Sequence, residues 1–354
     1  MKNLPMLFLN RNVLSKNLKL IKDKCDFQGV DLRPHVKTIH DESLSSLLRD
    51  SGITKISVSN LDMFHRFAKA GWTDISLAIP FPQNYMRDIQ GFLDQGILVS
   101  VYIDNKEQFE LLKQLTSPLN VCIEIDLGQL RTGIHWKYSS EIINLIQDIL
   151  DSNHSLSCIT SHFGDLYDID GKETFNLVFS DLMTKILNLK EQLDQHFSEP
   201  IQLALGDTPS ILGATIFEQT FELRAGNFML NDLMIQSKGF CEFSDIGCLV
   251  QAQVISKSES DSRFVLHCGA VHLSKDKHPL DSINYGLVAP VDSDWPEGPL
   301  ADTSIVDLYQ EHAVVHSIPR VVNFINIGDL FWVFPVHSCL TVDAMYHKNK
   351  INYL

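Results

Sequence analysis

The feature that most constrains this chain is an alternation. Apolar, β-branched runs suited to buried strands recur at 30–37, 55–60, 74–79, 98–103, 120–126, 155–162, 201–207 and 219–225, with helical patterns between most of them. In the stretch 173–195, Phe175, Phe179, Leu182, Ile186, Leu189 and Leu193 step by four and three along one face. Leu14, Leu18, Ile21 and Cys25 do the same over 12–25. Asp207-Thr208-Pro209 reads as a helix cap with proline just inside. Eight strands with intervening helices predict an α/β fold, a closed (β/α)8 TIM-type barrel over residues 10–235. A doubly wound open sheet is the alternative, but no G-x-G-x-x-G follows a first strand.

After about residue 236 the helical periodicity disappears. Short β-rich runs follow at 249–256, 263–268, 313–318 and 329–336, separated by turn-rich segments such as Asp292-Ser293-Asp294-Trp295-Pro296. This predicts an all-β second domain over 236–354. The early strand Leu7-Phe8-Leu9 could join either unit, and we assign the N-terminal strand, 1–9, to the β-domain. A length of 354 residues suits one barrel plus a smaller addition.

Charge narrows the function. Asp and Glu number 44 against 29 Lys and Arg, for a net charge of −15. Each phosphate contact needs a cation, so neither nucleic acid nor an anionic membrane is an expected partner. No apolar run approaches the ~18 residues that span a bilayer, and the N-terminus lacks a signal-peptide pattern. Cysteines number seven, an odd count, with no C-x-x-C. That argues against a disulfide framework and for a reducing cytoplasm.

Barrel enzymes place their chemistry at the C-terminal ends of the strands. Those ends carry Lys37 (first), Arg131 (fifth), Tyr167 (sixth), Gly206, Asp207 and Thr208 (seventh), and Gly226 and Asn227 (eighth). Lys37 closes a strand-like run. It is either a rim lysine, the better reading on spacing alone, or a partly desolvated amine suited to a Schiff base. The glycine-bearing loops after strands seven and eight occupy the usual phosphate position of a barrel, or are ordinary turns. In the β-domain, His337 and Cys339 are two apart. On a strand they would share a face and offer an imidazole and a thiolate to a cation such as zinc. By itself an H-x-C more often marks a buried thiol beside a hydrogen-bonded histidine.

Taken together these segments are recognisable. Arg33-Pro34-His35-Val36-Lys37-Thr38, Glu124-Ile125-Asp126-Leu127-Gly128 with Arg131, Gly206-Asp207-Thr208-Pro209 and Glu222-Leu223-Arg224-Ala225-Gly226-Asn227-Phe228 occur in order. They are followed by Gly269-Ala270-Val271-His272-Leu273-Ser274-Lys275-Asp276, Glu311-His312, and Gly328-Asp329 leading into Pro335-Val336-His337-Ser338-Cys339. The set resembles the D-threonine aldolase and D-serine dehydratase family of fold-type III pyridoxal-phosphate enzymes, related to the alanine racemase barrel. The resemblance implies that Lys37 binds pyridoxal 5'-phosphate covalently and that Arg131 lies near its phenolic oxygen. It also implies that Tyr167 faces the pyridine nitrogen and that Gly206, Asp207, Thr208, Gly226 and Asn227 cradle the phosphate. His337 and Cys339 would hold a divalent metal, with zinc expected for H-x-C and manganese the alternative.

The implied activity is that of a lyase of D-3-hydroxy amino acids, foremost dehydration of D-serine to pyruvate and ammonia. Retro-aldol cleavage of the D-threonine aldolase type and amino-acid racemisation are the alternatives. A non-catalytic pyridoxal-phosphate-binding protein fits least, because such relatives usually lack the β-domain. The resemblance also implies a homodimer.

Overall fold

The computed structural model describes residues 4–169, 171–292, 294–348 and 350–354. The start of the expected 1–9 strand, through residue 3, and Ser293 of the turn-rich segment lie outside the described residues.

Eight parallel strands form the first unit: Asp31–Leu32, Ile56–Val58, Asp74–Pro80, Leu98–Ile103, Asn120–Asp126, Ser155–Ser161, Leu203–Leu205 and Thr220–Leu223. Each pairs with its successor from the second to the eighth, and the eighth pairs with the first. A parallel bridge between His35 and Ser57 closes the remaining seam, with the Ser57 N–H donating to Pro34 O at 2.9 Å. The fifth strand is buried from Val121 to Asp126, as a strand covered on both faces must be. The expected barrel is therefore present, but the first strand is short. Lys37 lies beyond it, in a single 3₁₀ turn, Val36–Thr38.

A buried ion network reinforces that sparse seam. Arg33 on strand one reaches Asp74 at 2.7 Å and Glu222 at 3.0 Å. Glu222 also holds Lys55 at 2.8 Å and Arg224. Burial pushes Glu222 up, but Arg224, Arg33 and Lys55 outweigh it and hold the carboxyl at about 2.

The second unit is a closed antiparallel barrel of six strands. Its order is Cys248–Ser258, Arg263–His267, His312–His316, Ser304–Leu308, Gly286–Pro290 and Leu330–Pro335, which returns to Cys248–Ser258. Strands 286–290 and 304–308 were not expected from the sequence. The N-terminal strand Met6–Leu9 joins this sheet, antiparallel to Cys248–Gln251, and carries Ile351–Tyr353 on its other edge.

Candidate active site

The C-terminal ends of the parallel strands and a helix from the β-domain enclose a cavity of about 470 Å3. That lies within the ~300–1,000 Å3 usual for small-molecule sites. Lys37 lines it. The turn that presents Lys37 is capped by His35, whose Nδ1 accepts the Lys37 N–H at 3.3 Å. Thr38 Oγ1 contacts the carbonyls of His35 and Gly226 at 3.2 and 3.3 Å, tying the lysine turn to the loop after strand eight. Only glycine fits at 226, since a Cβ would lie 2.3 Å from His35 O.

Asp207 caps the short helix Thr208–Gly213 as its spacing predicts, its Oδ1 accepting the Ser210 N–H at 2.7 Å. Burial raises its carboxyl to about 7 against the hydrogen bonds from Ser210. Tyr167 ends a one-turn helix, and its hydroxyl accepts the Thr208 N–H at 3.1 Å. This contact fastens Tyr167 to the segment that carries Thr208. His162 stacks on Tyr167 with ring centroids 5.9 Å apart. Its Nδ1 lies 2.7 Å from Gly206 O, and burial lowers its pKa to about 4, so the ring is neutral and its Nδ1–H donates.

His337 and Cys339 line the same cavity, but not from a strand. The strand ends at Pro335, His337 is the extended N-cap residue, and Cys339 is the second residue of the helix Ser338–Tyr346. The helix starts there because Ser338 is captured from the barrel side: its N–H and Oγ lie 3.0 and 3.1 Å from the buried Asp232 carboxylate. Asn227 joins this knot, its amide donating to Asp232 at 2.8 Å and its side-chain oxygen accepting from Ser338. The Asn227 side chain is thereby engaged with Asp232 and Ser338. His337 Nδ1 pairs with Asp276 Oδ2 at 2.8 Å. Burial, then Asp232, push the Cys339 thiol up to about 12, so a bound cation is needed to hold the thiolate.

Arg131 lies apart from the main cavity, lining a smaller one of about 80 Å3 that shares Lys37, His162 and Gly206 with it. Its loop is held by Asp126, whose Oδ1 accepts the Gly128 and Leu130 N–H groups at 2.9 and 3.2 Å. Sequence reasoning gave no role to Arg224, which faces both cavities as a fully buried cation. It donates to Glu222, to the Tyr102 hydroxyl at 2.8 Å, and to the sulfurs of Cys122 and Cys158 at 3.3 and 3.4 Å. Its place in the Arg224-Ala225-Gly226 run beside two expected cradle residues was the available signal.

A free amine, backbone N–H groups on two loops and an imidazole–thiol pair suit an aldehyde, a phosphate and a divalent metal respectively. This donor set fits pyridoxal phosphate with a metal beside it.

Residues 9–232 match the family model described as the alanine racemase N-terminal domain. The chain belongs to this family. Residues 247–348 match the model of a putative serine dehydratase domain. Over 95% of the chain and 91% of the relative, it is 22% identical to a D-threo-3-hydroxyaspartate dehydratase of Delftia sp. (strain HT23). A D-serine dehydratase of Schizosaccharomyces pombe is 23% identical, with 96% of this chain and 86% of the relative covered. The solved Delftia enzyme superposes with a TM-score of 0.89 at 21% identity, over 97% of this chain and 92% of that one. A D-threonine aldolase from Filomicrobium marinum gives 0.82 at 16% identity, over 97% and 90%. The fold is that of alanine racemase-like proteins.

Proposed function

We propose that this protein is a pyridoxal 5'-phosphate- and divalent-metal-dependent lyase of D-3-hydroxy amino acids, and that its leading reaction is dehydration of D-serine to pyruvate and ammonia. The observation that carries this reading is the convergence of Lys37 with His337 and Cys339 on one cavity. The dehydratase names of relatives that match nearly the whole chain support it. So do solved forms of a D-threo-3-hydroxyaspartate dehydratase with a histidine or a cysteine, two positions apart, replaced by alanine, the cysteine variant being described as in the metal-free form.

When bound, the cofactor supplies an electron sink for a bond at Cα, and the metal a Lewis acid for the β-hydroxyl. Lys37 Nζ would be the amine that holds the cofactor by its aldehyde, and the base positioned to carry the Cα proton. Gly206, Asp207, Thr208, Gly226 and Asn227 hold the phosphate, mainly through backbone N–H groups, with the Tyr167 hydroxyl beside them. Arg131 and Arg224 bring positive charge to the cofactor. His337 and Cys339 hold the metal, and this imidazole–thiolate pair favours zinc over manganese.

Purified protein is to be incubated with D-serine, D-threonine and D-alanine, with separate assays for keto acid, aldehyde and L-isomer. Keto acid from D-serine, lost with a chelator and restored by zinc, is expected. Aldehyde from D-threonine would make the protein an aldolase, and chelator-indifferent L-alanine a racemase.

Among the described residues no helix is long and apolar enough to cross a membrane, and we place the protein in the cytoplasm. We also propose a homodimer in which the β-domain of one chain covers the barrel mouth of the other, the isologous pairing being the commonest. Light scattering that shows only monomer at assay concentration would refute it.

A further inference from the structure

We propose a second divalent-cation site at the rim of the cavity, built from His40, Asp343 and His347 and separate from the His337–Cys339 pair. Cys339, Asp343 and His347 recur every four residues, so they stack on one face along the helix Ser338–Tyr346 and its C-cap. The first belongs to the metal pair described above. The other two sit one and two turns further along. His40 meets them from the barrel side, next to the turn that carries Lys37.

The spacing of the ligand atoms supports coordination. His40 Nε2 lies 3.2 Å and His347 Nε2 3.5 Å from the same oxygen, Asp343 Oδ1. Charge-assisted N–H···O contacts are usually shorter, about 2.7–2.9 Å. Zinc bonds of about 2.0–2.2 Å in a tetrahedron put neighbouring ligand atoms about 3.3–3.6 Å apart. All three ligand atoms fall within 4.8 Å of one another, so a small movement would close them on one ion. Two imidazoles and a carboxylate form a set that leaves a coordination position open.

The His40 imidazole is buried and its backbone is pinned. It adopts φ 48°, rare for a non-glycine residue, and its carbonyl accepts from Arg66 at 2.7 Å. That guanidinium is the nearest competing cation, and it is matched by Glu42 at 3.2 Å and engaged with the Tyr346 hydroxyl at 2.7 Å. His40 and Asp343 both line the cavity. An ion there stands at its mouth, where it would draw anionic substrates toward an otherwise acidic chain.

The test counts metal. Protein stripped with a chelator and dialysed against Zn2+ is expected to retain two equivalents per chain by elemental analysis. Cys339→Ser should lose one and keep the other. Asp343→Asn combined with His347→Ala, both with exposed side chains, should also lose one and keep the other. Loaded with Co2+, the Cys339→Ser protein should show d–d absorption without the sulfur-to-metal charge-transfer band. One native equivalent that vanishes with Cys339→Ser overturns the proposal, and so do two equivalents untouched by the Asp343/His347 double variant. One native equivalent that survives Cys339→Ser but not the double variant would uphold the rim site and remove the metal from the reading of His337 and Cys339, so the two claims fail separately.

Discussion

Asp276 fixes the ring of His337: its Oδ2 lies 2.8 Å from His337 Nδ1, which leaves Nε2 as the nitrogen free to coordinate. A carboxylate behind a ligating imidazole sets its tautomer and orientation. Asp276→Ala is expected to weaken binding of metal at the His337–Cys339 site by about 10–100-fold, with Asp276→Asn intermediate. Competition against a fluorescent chelator measures this, and cofactor colour reports that Lys37 is untouched. Equal affinity in all three proteins would assign Asp276 a surface role only.

Cys339→Ala is expected to retain the yellow cofactor and a spectral response to D-serine while losing pyruvate formation by several orders of magnitude. A Lewis-acid metal supplies several kcal/mol to the transition state. Stopped-flow absorbance and a pyruvate assay on the same sample separate binding from turnover.

Borohydride reduction is expected to fix pyridoxyl phosphate on Lys37, read by peptide mass spectrometry. Label on any other lysine would contradict the assignment of the turn Val36–Thr38.

Gly226→Ala, at the expected phosphate cradle, should loosen the cofactor. The new methyl would lie 2.3 Å from His35 O and 3.0 Å from Thr38 Cγ2, so it must displace the Lys37 turn. A raised dissociation constant for pyridoxal phosphate, measured by absorbance titration, is expected. An unchanged constant would show that the turn moves freely.

Glu222 links stability to pH. Its folded-state carboxyl is held at about 2, below the usual 4.5. The unfolded chain therefore binds the proton first as pH falls, and the stabilisation present above pH 4.5 is lost between about 4.5 and 2. Glu222→Gln leaves Arg33, Arg224 and Lys55 without their shared anion. It is expected to cost about 3–5 kcal/mol near neutral pH and to flatten the acid limb. Urea melts at several pH values test both parts.

The alternation of apolar runs made the parallel barrel legible, because strands covered on both faces must be continuously apolar. The order of polar residues at their ends then made most of the cavity legible too. What stayed hidden depends on distant partners. Ser338 begins a helix rather than extending a strand because Asp232, 106 positions away, accepts its N–H. No local pattern near Cys339 announces that. The Asp276–His337 pair spans 61 positions and leaves no periodic trace. Strand Ser304–Leu308 escaped for another reason: a register shift between Ile305 and Asp307 interrupts its alternation and leaves Asp307 exposed.

The pairing of Met6–Leu9 with Cys248–Gln251 has a consequence for biosynthesis. Leu7, Phe8 and Leu9 are buried in the finished protein, yet they leave the ribosome long before the strand that covers them. Through translation of the whole parallel barrel they form an apolar ribbon with unsatisfied backbone edges, the kind of segment that chaperones hold and that aggregates when they do not. The helix bearing Cys339 is made later still. A nascent chain can thus complete the barrel's side of the pocket, Lys37 included, before the metal-binding half of the site exists.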